Sequence, residues 1–82
     1  MIFIIVSPEK TETHEIAWFE AHTLSGNMVI QPKHAPTILL LEPGKELLFC
    51  LKSGKQESIL VPRGIIEVTR DQATVIINKP LT

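Results

Sequence analysis

Tyrosine is absent from this 82-residue chain, and the other aromatics are few: Phe3, Trp18, Phe19 and Phe49. So sparse a set offers no platform on which nucleic-acid bases could stack. An excess of positive charge is missing too. Eight lysines and arginines are interspersed with nine carboxylates, for a formal net charge of −1. That leaves no basic stripe to neutralise phosphates, so a nucleic-acid partner is not expected. Cysteine is reduced to Cys50, which rules out an internal disulfide. Its setting, Leu47-Leu48-Phe49-Cys50-Leu51, is that of a buried, inert thiol in a reducing compartment. The four glycines, Gly26, Gly44, Gly54 and Gly64, stand singly, so no phosphate-cradling loop is present. No Gly-x-Ser-x-Gly elbow surrounds any serine.

The remaining candidates for chemistry are thin. His14, His22 and His34 form no i, i+4 pair and lie beside no cysteine or carboxylate cluster of metal-site spacing. A structural or surface role fits them better than ligation. Glu9, Glu12, Glu15 and Glu20 read as a solvated face. Residues 1–6 are apolar but lack a basic leader, and they are too short for a signal or membrane-spanning segment. The chain therefore reads as cytoplasmic, with no catalytic residue, cofactor or metal to assign. A binding or structural module is favoured. A small hydrolase or metal enzyme would rest on the three histidines alone.

What the chain does have is apolar content: 44% of its residues, with a mean hydropathy of +0.19. One domain of this size buries about 60–65% of its unfolded surface, so some apolar surface is available for a partner. Six prolines and the four glycines break the sequence into short runs rich in Ile, Val and Leu, the pattern of many short strands joined by turns. Strands are expected over residues 2–6, 27–30, 37–41, 46–51, 56–61, 65–69 and 73–77. Glu42-Pro43-Gly44 is a turn, and Lys52-Ser53-Gly54-Lys55 joins a hairpin. Residues 12–24 are ambiguous. Ile16 and Phe19, like His14 and Trp18, stand at helical spacings, yet the β-branched and aromatic content also suits two short strands. Several runs are apolar on consecutive residues, whereas a sheet with one wet face should alternate. Either these runs sit at the centre of the fold, or a second protein covers one face.

The segment Gly26-Asn27-Met28-Val29-Ile30-Gln31-Pro32-Lys33-His34-Ala35-Pro36-Thr37 resembles the signature of the epsilon subunit of F-type ATP synthases, which usually reads like Gly-Glu-Leu-Gly-Ile-Leu-Pro-Gly-His-Ala-Pro-Leu. Ile5-Val6-Ser7-Pro8-Glu9 is similar to the family's Val-Val-Thr-Pro-Glu. Leu41-Glu42-Pro43-Gly44 resembles its Leu-Lys-Pro-Gly turn. Residues 62–68 resemble Ser-Gly-Gly-Phe-Leu-Glu-Val, and residues 73–78 resemble Val-Thr-Val-Leu-Ala-Asp. The five matches keep their order over nearly the whole chain.

The resemblance implies a single domain over residues 1–82. Its fold would be an all-β, flattened, two-sheet antiparallel sandwich of about eight to ten short strands, which would make residues 12–24 strand rather than helix. It also implies a non-catalytic rotor-stalk role. The domain would bind the gamma subunit and the c ring, peripheral on the inner face of the cell membrane, and couple proton or sodium translocation to ATP synthesis. Gly26, Asn27 and Met28 would lie at the loop that meets the ring, with His34, Ala35 and Pro36 shaping the neighbouring turn. The plainer roles of Gly26 and Pro36 are a tight turn and a strand end. The family's C-terminal helical hairpin is not in this sequence, so inhibition of ATP hydrolysis and ATP binding are not expected. The family's acidic residue is Asn27 here, its glycine before the histidine is Lys33, and its double glycine is Arg63-Gly64. A loop before Gly26 is also shortened. These departures motivate a second reading, a divergent stand-alone β-sandwich binding or regulatory module.

Overall fold

The computed structural model describes residues 1–78, so the last four residues of the expected domain lie outside the description. Eight strands follow one another: β1 (Ile2–Val6), β2 (Thr11–Thr23), β3 (Gly26–Ile30), β4 (Thr37–Leu40), β5 (Lys45–Leu51), β6 (Gln56–Val61), β7 (Gly64–Val68) and β8 (Gln72–Ile77). Hydrogen-bonded neighbours run β4-β7-β8-β1-β2-β5-β6, with β3 on the free side of β2. Every pairing is antiparallel except β1 with β8, which is parallel. The molecule measures 36 × 26 × 19 Å, and its short dimension suits two layers packed about 10 Å apart.

Residues 12–24 form neither a helix nor two strands. Residues 12–23 belong to one 13-residue strand, Thr11–Thr23, that serves both layers, and Leu24 opens the turn after it. Its first half pairs with β1 and its second half with β5 and β3. The change of layer falls at an irregularity between Ile16, opposite Leu51, and Trp18, opposite Cys50. Ala17 is the extra residue, and a bulge of this kind bends a strand and strengthens its twist. The bulge also explains the misleading periodicity. Strict alternation would send Ile16 and Phe19 to opposite faces, but one inserted residue turns both inward, at 1% and 0% exposure. The three-residue step that mimics a helix is a two-residue step plus a bulge.

The core is built around three rings. Phe3 lies 5.0 Å from Phe49 and 5.3 Å from Phe19 between centroids, all tilted, a range in which aromatic pairs attract. Ile16, Ile30, Leu47, Val61, Ile66, Val68 and Val75 close around them. Thr23 is the sole buried polar residue among those described. It bridges to Leu41 of the opposite layer, which ties the corner away from β2's bend.

Lys33 is the one described non-glycine residue with positive φ, 67°, at the position where the resembling family has glycine. A left-handed L residue costs about 1–2 kcal/mol, partly offset in a glycine variant by the extra freedom of its unfolded chain. The Lys33 amide donates to Arg70 O at 2.8 Å, a bond that glycine keeps. Lys33→Gly should therefore stabilise the fold by about 0.5–1 kcal/mol, seen as a higher urea midpoint with an unchanged slope.

Candidate functional site

The sequence placed two groups of residues at a contact, and the structure sets them at opposite ends of β4. Gly26, Asn27 and Met28 begin β3, just after the tip of the β2–β3 hairpin. Thr23 faces Gly26 across a two-residue loop, Leu24-Ser25. Gly26 has φ +115°, a conformation the turn needs and a side chain would resist. Thr23 Oγ1 donates to Gly26 O at 2.7 Å and accepts from the Ser25 amide at 3.1 Å. Leu24 N donates to Leu40 O at 3.0 Å, so the tip is fastened to β4's far end. Its apolar side chain is left 66% exposed. Residues 23–25, Met28 and residues 38–40 surround an open hollow of about 180 Å³.

His34, Ala35 and Pro36 lead into the start of β4. The His34 Nδ1 lies 2.7 Å from Ala35 O, so the proton sits on Nδ1 and donates to that carbonyl. Lys33's bond to Arg70 O pins this loop to the β7–β8 turn. Pro36, Thr37, Ile38, Glu67, Val68 and Thr69 line a second open hollow, of about 310 Å³.

The three histidines are separate. His14 stacks on Phe49 at 5.3 Å and its Nε2 lies 3.5 Å from Glu12. His22 stands at a small hollow with Glu42 and Lys45, and His34 is in the loop before β4. Among the described residues no three His, Cys, Asp or Glu side chains gather as a metal site would require. Cys50 is buried, as expected.

The sequence reading missed a feature of the outer faces. On the β4-β7-β8-β1 layer, Leu40 opposes Ile65, Ile65 opposes Ile76, and Ile76 opposes Val6. These four outward aliphatics form one unbroken row about 14 Å long, from strand spacings of about 4.8 Å. Leu40 is 54% exposed, and Ile65 and Ile76 are 37% exposed each. Ile38, 61% exposed, flanks the row. The corresponding row on the other layer is interrupted, because Val29 opposes Glu20, Glu20 opposes Leu48, and Leu48 opposes Ser58. The signal available in the sequence was the consecutive apolar residues of β4, β7 and β8. Which of them align depends on register, which the sequence does not display.

The geometry is that of a β-sandwich with an aliphatic row on one outer face and a clamped hairpin tip. Residues 1–80 match the family described as the beta-sandwich domain of the ATP synthase Delta/Epsilon chain, and the chain belongs to that family. Among its relatives is the ATP synthase epsilon chain 2 of Burkholderia orbicola, 37% identical over 57 residues, which cover 70% of this chain and 38% of the relative. Another is the ATP synthase epsilon chain of Xanthomonas euvesicatoria, 36% identical over 75 residues, covering 90% and 53%. The chain thus spans about half the length, or less, of these curated relatives. A chain in the cryo-EM structure of the Euglena gracilis mitochondrial ATP synthase (OSCP/F1/c-ring) superposes with a TM-score of 0.84 at 19% identity, over 99% of this chain and 52% of that one. The Tetrahymena thermophila mitochondrial ATP synthase central stalk/c-ring gives 0.80 at 20% identity, over 96% and 63%. At such identities the likeness speaks for the fold.

Proposed function

We propose that this domain serves as a non-catalytic central-stalk element of an F-type ATP synthase. It binds the gamma subunit and the c ring and turns with them, so that ion-driven rotation of the ring reaches the catalytic head. It is thereby held at the inner face of the membrane through the complex. No described helix is long and apolar enough to cross a membrane. The observation that carries this reading is the unbroken aliphatic row Leu40–Ile65–Ile76–Val6 on a chain whose family is the stalk sandwich. Contiguous exposed apolar surface marks an interaction site, and gamma is its proposed occupant. The hairpin tip with Gly26, Asn27 and Met28 is assigned to the c ring, with His34, Ala35 and Pro36 shaping the loop at the other end of β4.

Co-purification of the tagged chain from its own cells, followed by mass spectrometry, tests the proposal. The expected result is recovery of alpha, beta and gamma together. Recovery of none, while the synthase is intact in the same lysate, would overturn it in favour of a stand-alone binding module.

A further inference from the structure

The aliphatic face carries one anomaly. Glu67 projects outward from the middle of it, with Ile38 and Thr74 directly opposite on the two neighbouring strands. The carboxylate is exposed, and no cation lies within ion-pair distance of it among the described residues. The outward positions of β4, β7, β8, β1 and the first half of β2 hold no lysine or arginine. Glu15, the other carboxylate of this face, already meets the N-terminal ammonium at 3.1 Å. Glu67 also lines the open hollow of about 310 Å³, whose other walls are Pro36, Ile38, Val68 and two threonines.

A carboxylate covered by an apolar partner surface loses its water and must find a cation, or binding is heavily penalised. Among the described residues, a second copy of this chain would offer no cation from the outward strand positions of the same face, only Arg70 and Lys33 from the turn and loop at its end. Resting on the stalk reading above, we infer that Glu67 is the specificity-determining residue of this surface. The gamma subunit places a lysine or arginine side chain in the hollow, its aliphatic stem against Pro36 and Ile38 and its charge on the Glu67 carboxylate. Long basic side chains bury their stems along apolar surface while the charged head seeks a polar partner. The aliphatic row supplies area, and the single charge fixes register and rejects surfaces without a matching cation.

The test compares gamma recovered per tagged chain for four forms expressed in the native cells: wild type, Glu67→Gln, Glu67→Lys and Glu46→Lys. Glu67→Gln keeps the shape and should weaken docking by about 30-fold or more. Glu67→Lys sets like charges together and should abolish recovery. Glu46→Lys makes the same change of charge at an exposed position of β5 on the other layer and should recover gamma normally. Thermal unfolding of the purified domains should give similar midpoints for wild type and Glu67→Gln, since Glu67 has no internal partner to lose. Gamma recovered equally by wild type, Glu67→Gln and Glu67→Lys overturns this inference and leaves the stalk reading standing. Equal losses in Glu67→Lys and Glu46→Lys would reduce it to net charge and also overturn it. Absence of gamma with the wild-type chain overturns the stalk reading and this inference with it.

Discussion

Phe3→Ala should remove a large part of this domain's stability, about 3–5 kcal/mol. A chain of this length commands roughly 4–12 kcal/mol in all. The reason lies in position rather than residue type. Phe3 has no exposed surface and touches both other core rings, at 5.0 and 5.3 Å. Truncation removes two aromatic contacts, each worth about 0.5–1.5 kcal/mol beyond area, and leaves a void between two layers. Phe49 and Phe19 hang from β5 and β2, both also held by other strands, so the layers can close over that void only partly. Phe3→Leu nearly conserves volume and should cost less than about 1.5 kcal/mol. Urea unfolding of the three forms checks this. The midpoints should order wild type, Leu, Ala, with a common slope for wild type and Leu. A loss below about 1.5 kcal/mol for Phe3→Ala would mean that the ring trio is not the centre of the core.

Most strands were legible because their ends are chemically marked. Residues 2–6 and 56–61 emerged with the expected bounds, each closed by proline or glycine within a few residues. β2 was not legible, since its bulge inserts Ala17 and copies a helical step. A bulge is set by the need to pass between layers, a tertiary demand with no local signature. The parallel pairing of β1 with β8 was hidden for a related reason. The two strands lie at opposite ends of the chain, so no turn between them marks their pairing, and the antiparallel expectation came with the family resemblance. Gly26, Asn27 and Met28 were singled out through the family resemblance, not through chemistry. Glu67 was passed over because its isolation is a property of four strands in register, not of its own neighbours in sequence.

The division of labour in the molecule follows. Inward positions of β1, β7 and β8 hold Phe3, Ile5, Ile66, Val68, Ala73 and Val75, all buried. Among their outward neighbours on the same strands, Val6, Ile65 and Ile76 join Leu40 of β4 in the aliphatic row. The consecutive apolar runs of β7 and β8 therefore bury one set of side chains in the core and turn the other set to the outer face of the layer. The row is aligned only while the core beneath keeps its register. Core damage such as Phe3→Ala should thus impair docking without touching a single docking residue.

Gly64→Ala carries the second large expected effect, and it explains a departure from the family pattern. The family's double glycine is Arg63-Gly64 here, so one glycine was dispensable. Arg63 is exposed and its carbonyl accepts from the Asn78 amide at 2.8 Å, an arrangement indifferent to the side chain. Gly64 is buried and opens β7 opposite Ile77. A methyl group added there would stand 2.6 Å from the Ile76 carbonyl oxygen and 3.2 Å from Val61 Cγ1. The first neighbour is backbone of the adjacent strand and cannot rotate away, so β7 and β8 must separate at the very pair that bears Ile65 and Ile76. Overpacking of this kind costs about 1–3 kcal/mol, and with a rigid obstacle the upper half of that range is expected. The thermal midpoint should fall by roughly 10–20 °C, followed by circular dichroism, while Arg63→Gly shifts it only slightly. Because the separation starts beneath the aliphatic row, Gly64→Ala should also weaken gamma recovery below the midpoint, where the domain is still folded. A midpoint within about 2 °C of wild type would show that β7 can move aside freely, and the close approach would then be no reason for the glycine.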